Sequence, residues 1–172
     1  FQRIIQEMQE ADIMFLIQQS NLRNSELKSQ QMNDLHAAIK EADANEKKAI
    51  NNLEVLGYAS PDGELDLNTK LAEARQAKSQ KYLEKQLKKN KIQAEVASKI
   101  TAEDWEGFQK AMEQSNIQDK QLVLRVLSMY TDPEEREAQI KNLSAVYQTI
   151  ADEILPALRR SRLILTTDLI GK

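Results

Sequence analysis

Residues 53–83 read LEVLGYASPDGELDLNTKLAEARQAKSQKYL, in which a short apolar strand is joined to a long helix by a polar turn. The turn contains Gly57, Pro61 and Gly63, residue types that favour chain reversals. Asn68 is predicted to cap the helix, because its side-chain oxygen can accept an orphan backbone N–H. The first amides of a helix also make such junctions frequent anion sites. We expect this stretch to decide both fold and function.

Polar side chains around this turn are suited to binding a carboxylate. Ser60 and Asp62 lie in the turn, and Arg75 follows two turns into the helix. A guanidinium group beside a helix N-terminus can bind a carboxylate through two parallel hydrogen bonds. The alternative is a surface charge, with Arg75 paired to Glu73 or Asp62, and spacing alone favours that alternative.

Hydrophobic periodicity outward from this stretch predicts one α+β domain over residues 1–172, an α/β sandwich of about four strands covered by helices. The stretch from Phe1 to Glu7 is ambiguous, because Phe1, Ile4, Ile5 and Met8 have helical spacing. The predicted strands cover 11–18, 50–57, 92–98 and 162–170, and an amphipathic helix covers 30–44.

A helical segment of about sixty residues, about 101–158, precedes the last predicted strand. Thr101-x-x-Asp104 resembles a capping box, and Asp132-Pro133 combines a cap with a proline in the first turn. A kink or break is expected near Pro156. The predicted core is thus β-α-β-α-β, with a helical insertion before its last strand.

Composition excludes several classes of function. The 24 basic and 27 acidic residues give a net charge of −3, which argues against a nucleic-acid-binding protein. There is no cysteine and only one histidine, His36, which we interpret as structural. No nucleophile elbow, phosphate-binding loop or metal-binding helix motif is found. We therefore expect no enzymatic activity, no cofactor and no metal site.

The chain contains no apolar run near the roughly 20 residues that a membrane-spanning helix requires. It starts at Phe1 rather than at a methionine. We therefore expect a piece of a longer protein, whose targeting signal and membrane anchor lie outside this chain.

Residues 53–83 resemble the signature of the C-terminal domain of outer membrane protein A (OmpA), a family that includes peptidoglycan-associated lipoproteins and flagellar motor stators. That signature is approximately I-x-I-x-G-H-T-D-x-x-G, a spacer, then N-x-x-L-S-x-x-R-A-x-x-V-x-x-Y-L. The matching positions are Leu53, Val55, Gly57, Gly63, Asn68, Leu71, Arg75, Tyr82 and Leu83. Arg160-Ser161-Arg162-Leu163 also resembles the N-R-R-V motif that leads into the family's last strand.

The resemblance implies a periplasmic module that binds peptidoglycan without a covalent bond. The family arginine that receives the carboxylate of diaminopimelate corresponds to Arg75, and the second family arginine corresponds to Arg162. Ser60 stands where the family has an aspartate, so Asp62 is the candidate replacement for that charge. The turn Y-A-S-P-D-G resembles a divergent branch of the family found in envelope proteins.

Two hypotheses follow from these residues. In the first, the chain is a non-catalytic periplasmic module that captures a peptidoglycan carboxylate at the 57–75 turn and helix, and is attached to the outer membrane as in a lipoprotein. In the second, an OmpA-like scaffold has lost the ligand and binds other envelope proteins through its helical insertion. The candidate ligand-binding residues are Ser60, Asp62, Asn68, Arg75 and Arg162.

Overall fold

Four strands form one mixed sheet in the computed structural model, which describes residues 3–171. They are β1 (Arg3–Met14), β2 (Lys48–Tyr58), β3 (Val96–Thr101) and β4 (Arg160–Gly171). Their order across the sheet is β1-β4-β2-β3. The strand β4 runs antiparallel to both of its neighbours, whereas β2 and β3 are parallel. The predicted α+β class with about four strands is confirmed.

Helices connect the strands and cover one face of the sheet. A short helix α1 (Asn24–Leu27) and α2 (Gln30–Ala44) link β1 to β2, and α3 (Leu65–Lys89) links β2 to β3. The apolar faces of α2 and α3 pack on alternate residues of the strands, as the two-residue repeat of a strand requires. The centre of this main core consists of Ile13, Met32, Leu35, Leu53, Val55, Leu83, Leu163 and Leu165.

The strand boundaries differ from those predicted. The strand β1 covers Arg3–Met14 rather than 11–18, and β3 covers Val96–Thr101 rather than 92–98. The helical spacing of residues 3–8 was misleading, because pairing with β4 holds this segment extended from Arg3↔Gly171 to Met14↔Arg160. Ile5 and Met8 are exposed, so their spacing reflects no buried face. Phe1 lies outside the described residues.

The predicted helical insertion is present between β3 and β4. It consists of α4 (Trp105–Gln114), α5 (Lys120–Met129), α6 (Pro133–Lys141), α7 (Ser144–Glu153) and a 3₁₀ turn (Leu155–Leu158). These helices share a second core, separate from the main one, whose most buried members are Phe108, Met112, Val123, Ile140, Ile150, Leu155 and Leu158. The insertion is therefore a packed subdomain rather than a long connection.

Of the two helix caps predicted in the insertion, one is confirmed and the other was wrong. The prediction at Asp132-Pro133 is confirmed, since Asp132 Oδ2 accepts from the Glu135 N–H at 3.1 Å. The proposed capping box was wrong, because Thr101 ends β3 and Asp104 itself caps α4 by accepting from Gly107 N–H at 3.0 Å. The predicted break at Pro156 is a 3₁₀ turn, and a further break separates α6 from α7.

None of the helices within residues 3–171 is both long enough and apolar enough to span a lipid bilayer.

Gly57 permits the close contact between β2 and α3 that positions the turn. A Cβ atom at Gly57 would lie 2.3 Å from the backbone oxygen of Ala72 and 2.6 Å from the Cβ of Gln76. Both contacts are far inside van der Waals distance, and the first is to rigid helical backbone. Gly57, which was predicted to lie in the turn, is therefore needed for the close packing of β2 against α3.

We expect Gly57→Ala to lower the free energy of unfolding by about 3 kcal/mol, because the helix must move away from the strand. Gly63→Ala is the matched control. Its φ of 95° disfavours alanine, but the nearest atom to an added Cβ is 3.8 Å away, so the expected loss is only about 1–2 kcal/mol. Urea unfolding monitored by circular dichroism measures both. Equal losses would show that the close approach at Gly57 is unimportant.

Candidate functional site

A cavity of about 430 Å³ lies beside the turn between β2 and α3. Its wall includes four of the five predicted site residues, namely Ser60, Asp62, Asn68 and Arg75. Ile17, in the loop after β1, forms part of the opposite wall. The tertiary structure therefore brings together residues from two loops and one helix that are far apart in the sequence.

The turn is held by hydrogen bonds among its own polar residues. The Ser60 hydroxyl donates to Asp62 Oδ1 at 2.5 Å, and Asn68 Nδ2 donates to the backbone oxygen of Asp62 at 3.0 Å. Asn68 is not the cap of α3, because the helix already begins at Leu65 with Glu64 in the capping position. Asn68 instead lies one turn into the helix and reaches back to fix the turn that precedes it.

Arg75 is the most restrained of the predicted residues. Its side chain is fully buried, at 0% exposure, and its guanidinium lies 5.2 Å from the centre of the Phe15 ring. Nε donates to the backbone oxygen of Gln19 at 2.9 Å, Nη1 to that of Tyr58 at 2.9 Å, and Nη2 to that of Leu16 at 3.3 Å. Arg75 therefore joins α3 to the end of β2 and to the loop after β1.

The positive charge of Arg75 has no carboxylate counter-charge in contact with it. Among residues 3–171, Arg75 forms no ion pair, whereas Arg160 and Arg162 do. Burial and, to a smaller extent, the nearby cation of Arg159 lower the pKa of Arg75 to about 10, while Asp62 acts in the opposite direction. Arg75 is therefore still a cation at neutral pH, in surroundings that favour the approach of an anion.

Arg159 is a cavity residue that the sequence reasoning missed. It lines the cavity together with Arg75, and its Nε is buried without a hydrogen-bond partner among the described residues. Its proximity to the last strand is the signal that could have found it. Ser161 faces α3, since its hydroxyl donates to the backbone oxygen of Arg75 at 3.0 Å. Arg159 lies two residues earlier, just before β4 begins, and its side chain lines the cavity.

Arg162 lies apart from the other four predicted site residues. It projects from the opposite face of β4, where Nε donates to Asp12 Oδ1 at 2.9 Å across the paired strands. This ion pair raises the pKa of Arg162. Arg160 lies on the same face and pairs with Asp104 at 2.8 Å. The separation follows from strand alternation, which places residues 160 and 162 away from the cavity.

His36 makes its contacts away from the cavity. His36 Nε2 lies 3.0 Å from the Tyr82 hydroxyl, and partial burial lowers the pKa of this histidine. Both residues lie outside the cavity wall. Within the part of the chain that the structure describes, histidine, aspartate and glutamate side chains form no group of three suited to a metal ion.

No protein-family model matches this chain, and a search of curated proteins finds no similar sequence.

We expect Arg75→Ala to lower the free energy of unfolding by about 3–5 kcal/mol, since three backbone carbonyls would lose their donor in a buried site. Arg75→Lys should lose less, because lysine keeps the charge but not the planar fork of donors. Urea unfolding measures both variants. Arg162→Gln is the control, with an expected loss of at most about 1 kcal/mol because its ion pair is partly exposed. An Arg75→Ala protein as stable as this control would contradict the structural role of Arg75.

Proposed function

We propose that this chain is a non-catalytic module of the cell envelope, OmpA-like in fold, that binds peptidoglycan by capturing a carboxylate in the cavity beside the β2–α3 turn. The observation that carries the proposal is the pair of cations in the cavity wall, Arg75 and Arg159, neither of which forms an ion pair among the described residues. A buried cation without a counter-charge is costly, and an anionic ligand would offset that cost.

Arg159 offers the donor for such a ligand, while Arg75 contributes mainly its charge. Three of the five N–H donors of Arg75 are used by backbone carbonyls, and its side chain is fully buried. Arg159 has an unpartnered Nε. A charge-assisted hydrogen bond from this guanidinium to a carboxylate is short and strong, and the anion would also reduce the repulsion between the two cations.

The ammonium group of a diaminopimelate side chain requires a negative charge at the other end of the cavity. The family resemblance places that charge at the position of Ser60, which cannot supply it. Asp62 lies within the same wall, and Ser60 donates to it, so the hydroxyl orients the carboxylate that replaces the family aspartate. This pair supports a zwitterionic ligand, with its carboxylate at the arginines and its ammonium at Asp62.

The proposed ligand implies a periplasmic location, with attachment to the outer membrane through parts of a longer protein. Binding requires no cofactor and makes or breaks no covalent bond.

A second candidate function is an OmpA-like scaffold that has lost its ligand. The three hydrogen bonds of Arg75 to backbone oxygens favour it, because they explain this buried arginine without any ligand. The separate core of the insertion also supports it, because the insertion can present a surface of its own to other envelope proteins.

Co-sedimentation with purified peptidoglycan sacculi distinguishes the two functions. We expect the wild-type protein to sediment with the sacculi and Arg159→Gln to bind about tenfold more weakly, which corresponds to about 1.4 kcal/mol for the loss of a charge-assisted contact. Asp62→Asn should weaken binding similarly. Arg159 is preferred to Arg75 as the test residue, because replacing Arg75 also removes three structural hydrogen bonds.

Arg162→Gln is the matched control, since it removes an arginine only three residues away that lies outside the cavity wall, and its binding should remain within about twofold of wild type. A wild-type protein that stays in the supernatant would favour the scaffold. An Arg159→Gln variant that binds as wild type does would show that the cavity cations do not hold the ligand.

A further inference from the structure

The cavity turn is also held from outside, by the helical insertion. The backbone N–H of Gly63 donates to Glu137 Oε1 of α6 at 3.2 Å, across 74 positions of sequence. Gly63 has a φ of 95°, so its amide is presented in a conformation that few other residues adopt. Gly63 directly follows Asp62 in the sequence, so Glu137 binds an amide of the same turn that contains Ser60 and Asp62.

Apolar packing supports the same contact. Pro61 is buried, and it lies with Asp62 against Trp105, Phe108 and Tyr147 of the insertion, around a gap of only about 20 Å³. A gap of that size holds about one water molecule at most. The outer side of the turn therefore rests directly on the second core.

Two backbone hydrogen bonds join the base of the turn to the end of β3 and to the N-cap of α4. Ala59 N–H donates to the Thr101 oxygen at 3.1 Å, and Asp104 N–H donates to the Ala59 oxygen at 3.2 Å. Asp104 is in turn held by its buried ion pair with Arg160. The insertion thus holds the turn at its beginning through Ala59 and near its end through Gly63.

Glu137 is itself positioned for this contact. Lys141, one helical turn later on α6, places Nζ 2.7 Å from the same Oε1 atom, and the Glu137 side chain is only 19% exposed. The ammonium group of Lys141 lies 5.9 Å from the centre of the Tyr147 ring, which limits its movement. A charged acceptor held in this way forms a stronger hydrogen bond to an amide than a neutral and mobile acceptor does.

We infer that the helical insertion positions the ligand-binding turn, and that Glu137 is the positioning residue through its hydrogen bond to the Gly63 amide. The inference rests on the proposed function, since it concerns the affinity of the same cavity. Glu137 does not line the cavity and acts through Asp62, whose carboxylate and backbone oxygen are held on the inner side of the turn. The insertion thus supports the turn of the ligand site, although Glu137 itself does not line the cavity.

Three variants test this inference in sacculus co-sedimentation, alongside hydrogen exchange at the Gly63 amide. Glu137→Ala removes the acceptor and should weaken binding about fivefold, the effect of one net hydrogen bond, with faster exchange at Gly63. Glu137→Gln keeps an acceptor and should restore binding to within about twofold of wild type. Lys141→Ala removes only the ion pair and should also remain within about twofold.

The outcomes separate the two proposals. A wild-type protein that does not bind sacculi overturns the proposed function, and the positioning role with it. If the wild type binds and Glu137→Ala binds equally well, the positioning role is wrong while the proposed function stands. Equal weakening by Glu137→Ala and Glu137→Gln would also overturn it, because the effect would then come from charge rather than from the hydrogen bond. If the hydrogen-exchange rate of the Gly63 amide is the same in Glu137→Ala as in the wild type, the hydrogen bond between Glu137 and Gly63 is not formed.

Discussion

The fold around the cavity depends on one buried cation and the backbone oxygens that surround it. Arg75 donates to carbonyls of Leu16, Gln19 and Tyr58, and its own backbone oxygen accepts from the Ser161 hydroxyl. Three separate segments, the loop after β1, the end of β2 and the start of β4, therefore meet at one residue of α3. Because each buried carbonyl requires a donor, removing this one side chain would leave several polar groups unsatisfied at once.

The same arrangement allows a structural residue to contribute to the proposed ligand binding. The carbonyl dipoles stabilise the guanidinium without neutralising it, and Arg159 adds a second positive charge nearby. Neutral partners hold the cation in place while its net charge remains available to the cavity. A carboxylate partner from the chain itself, such as Asp12 provides for Arg162, would have cancelled that charge.

The insertion and the sheet meet at the turn rather than across a broad interface. Each has its own apolar core, and the contacts between them include Pro61, the Ala59 backbone, Gly63 and the ion pair of Asp104 with Arg160. The hydrogen bonds within the turn are supplemented by these contacts from outside it. Its geometry is therefore determined jointly by α3 on one side and by the insertion on the other.

Local periodicity and turn residues were enough to predict the α+β class, the number of strands, the helices over 30–44 and beyond the turn, and the position of the insertion. The boundaries of β1, the position of Asn68 within α3 and the separation of Arg159 from Arg162 depend instead on contacts between distant parts of the chain. Pairing of β1 with β4 holds the first strand extended and places Arg162 against Asp12, and packing against α3 and α6 sets what each polar atom of the turn can reach. The sequence pattern thus pointed to Arg75, and the tertiary structure set the backbone oxygens to which it donates.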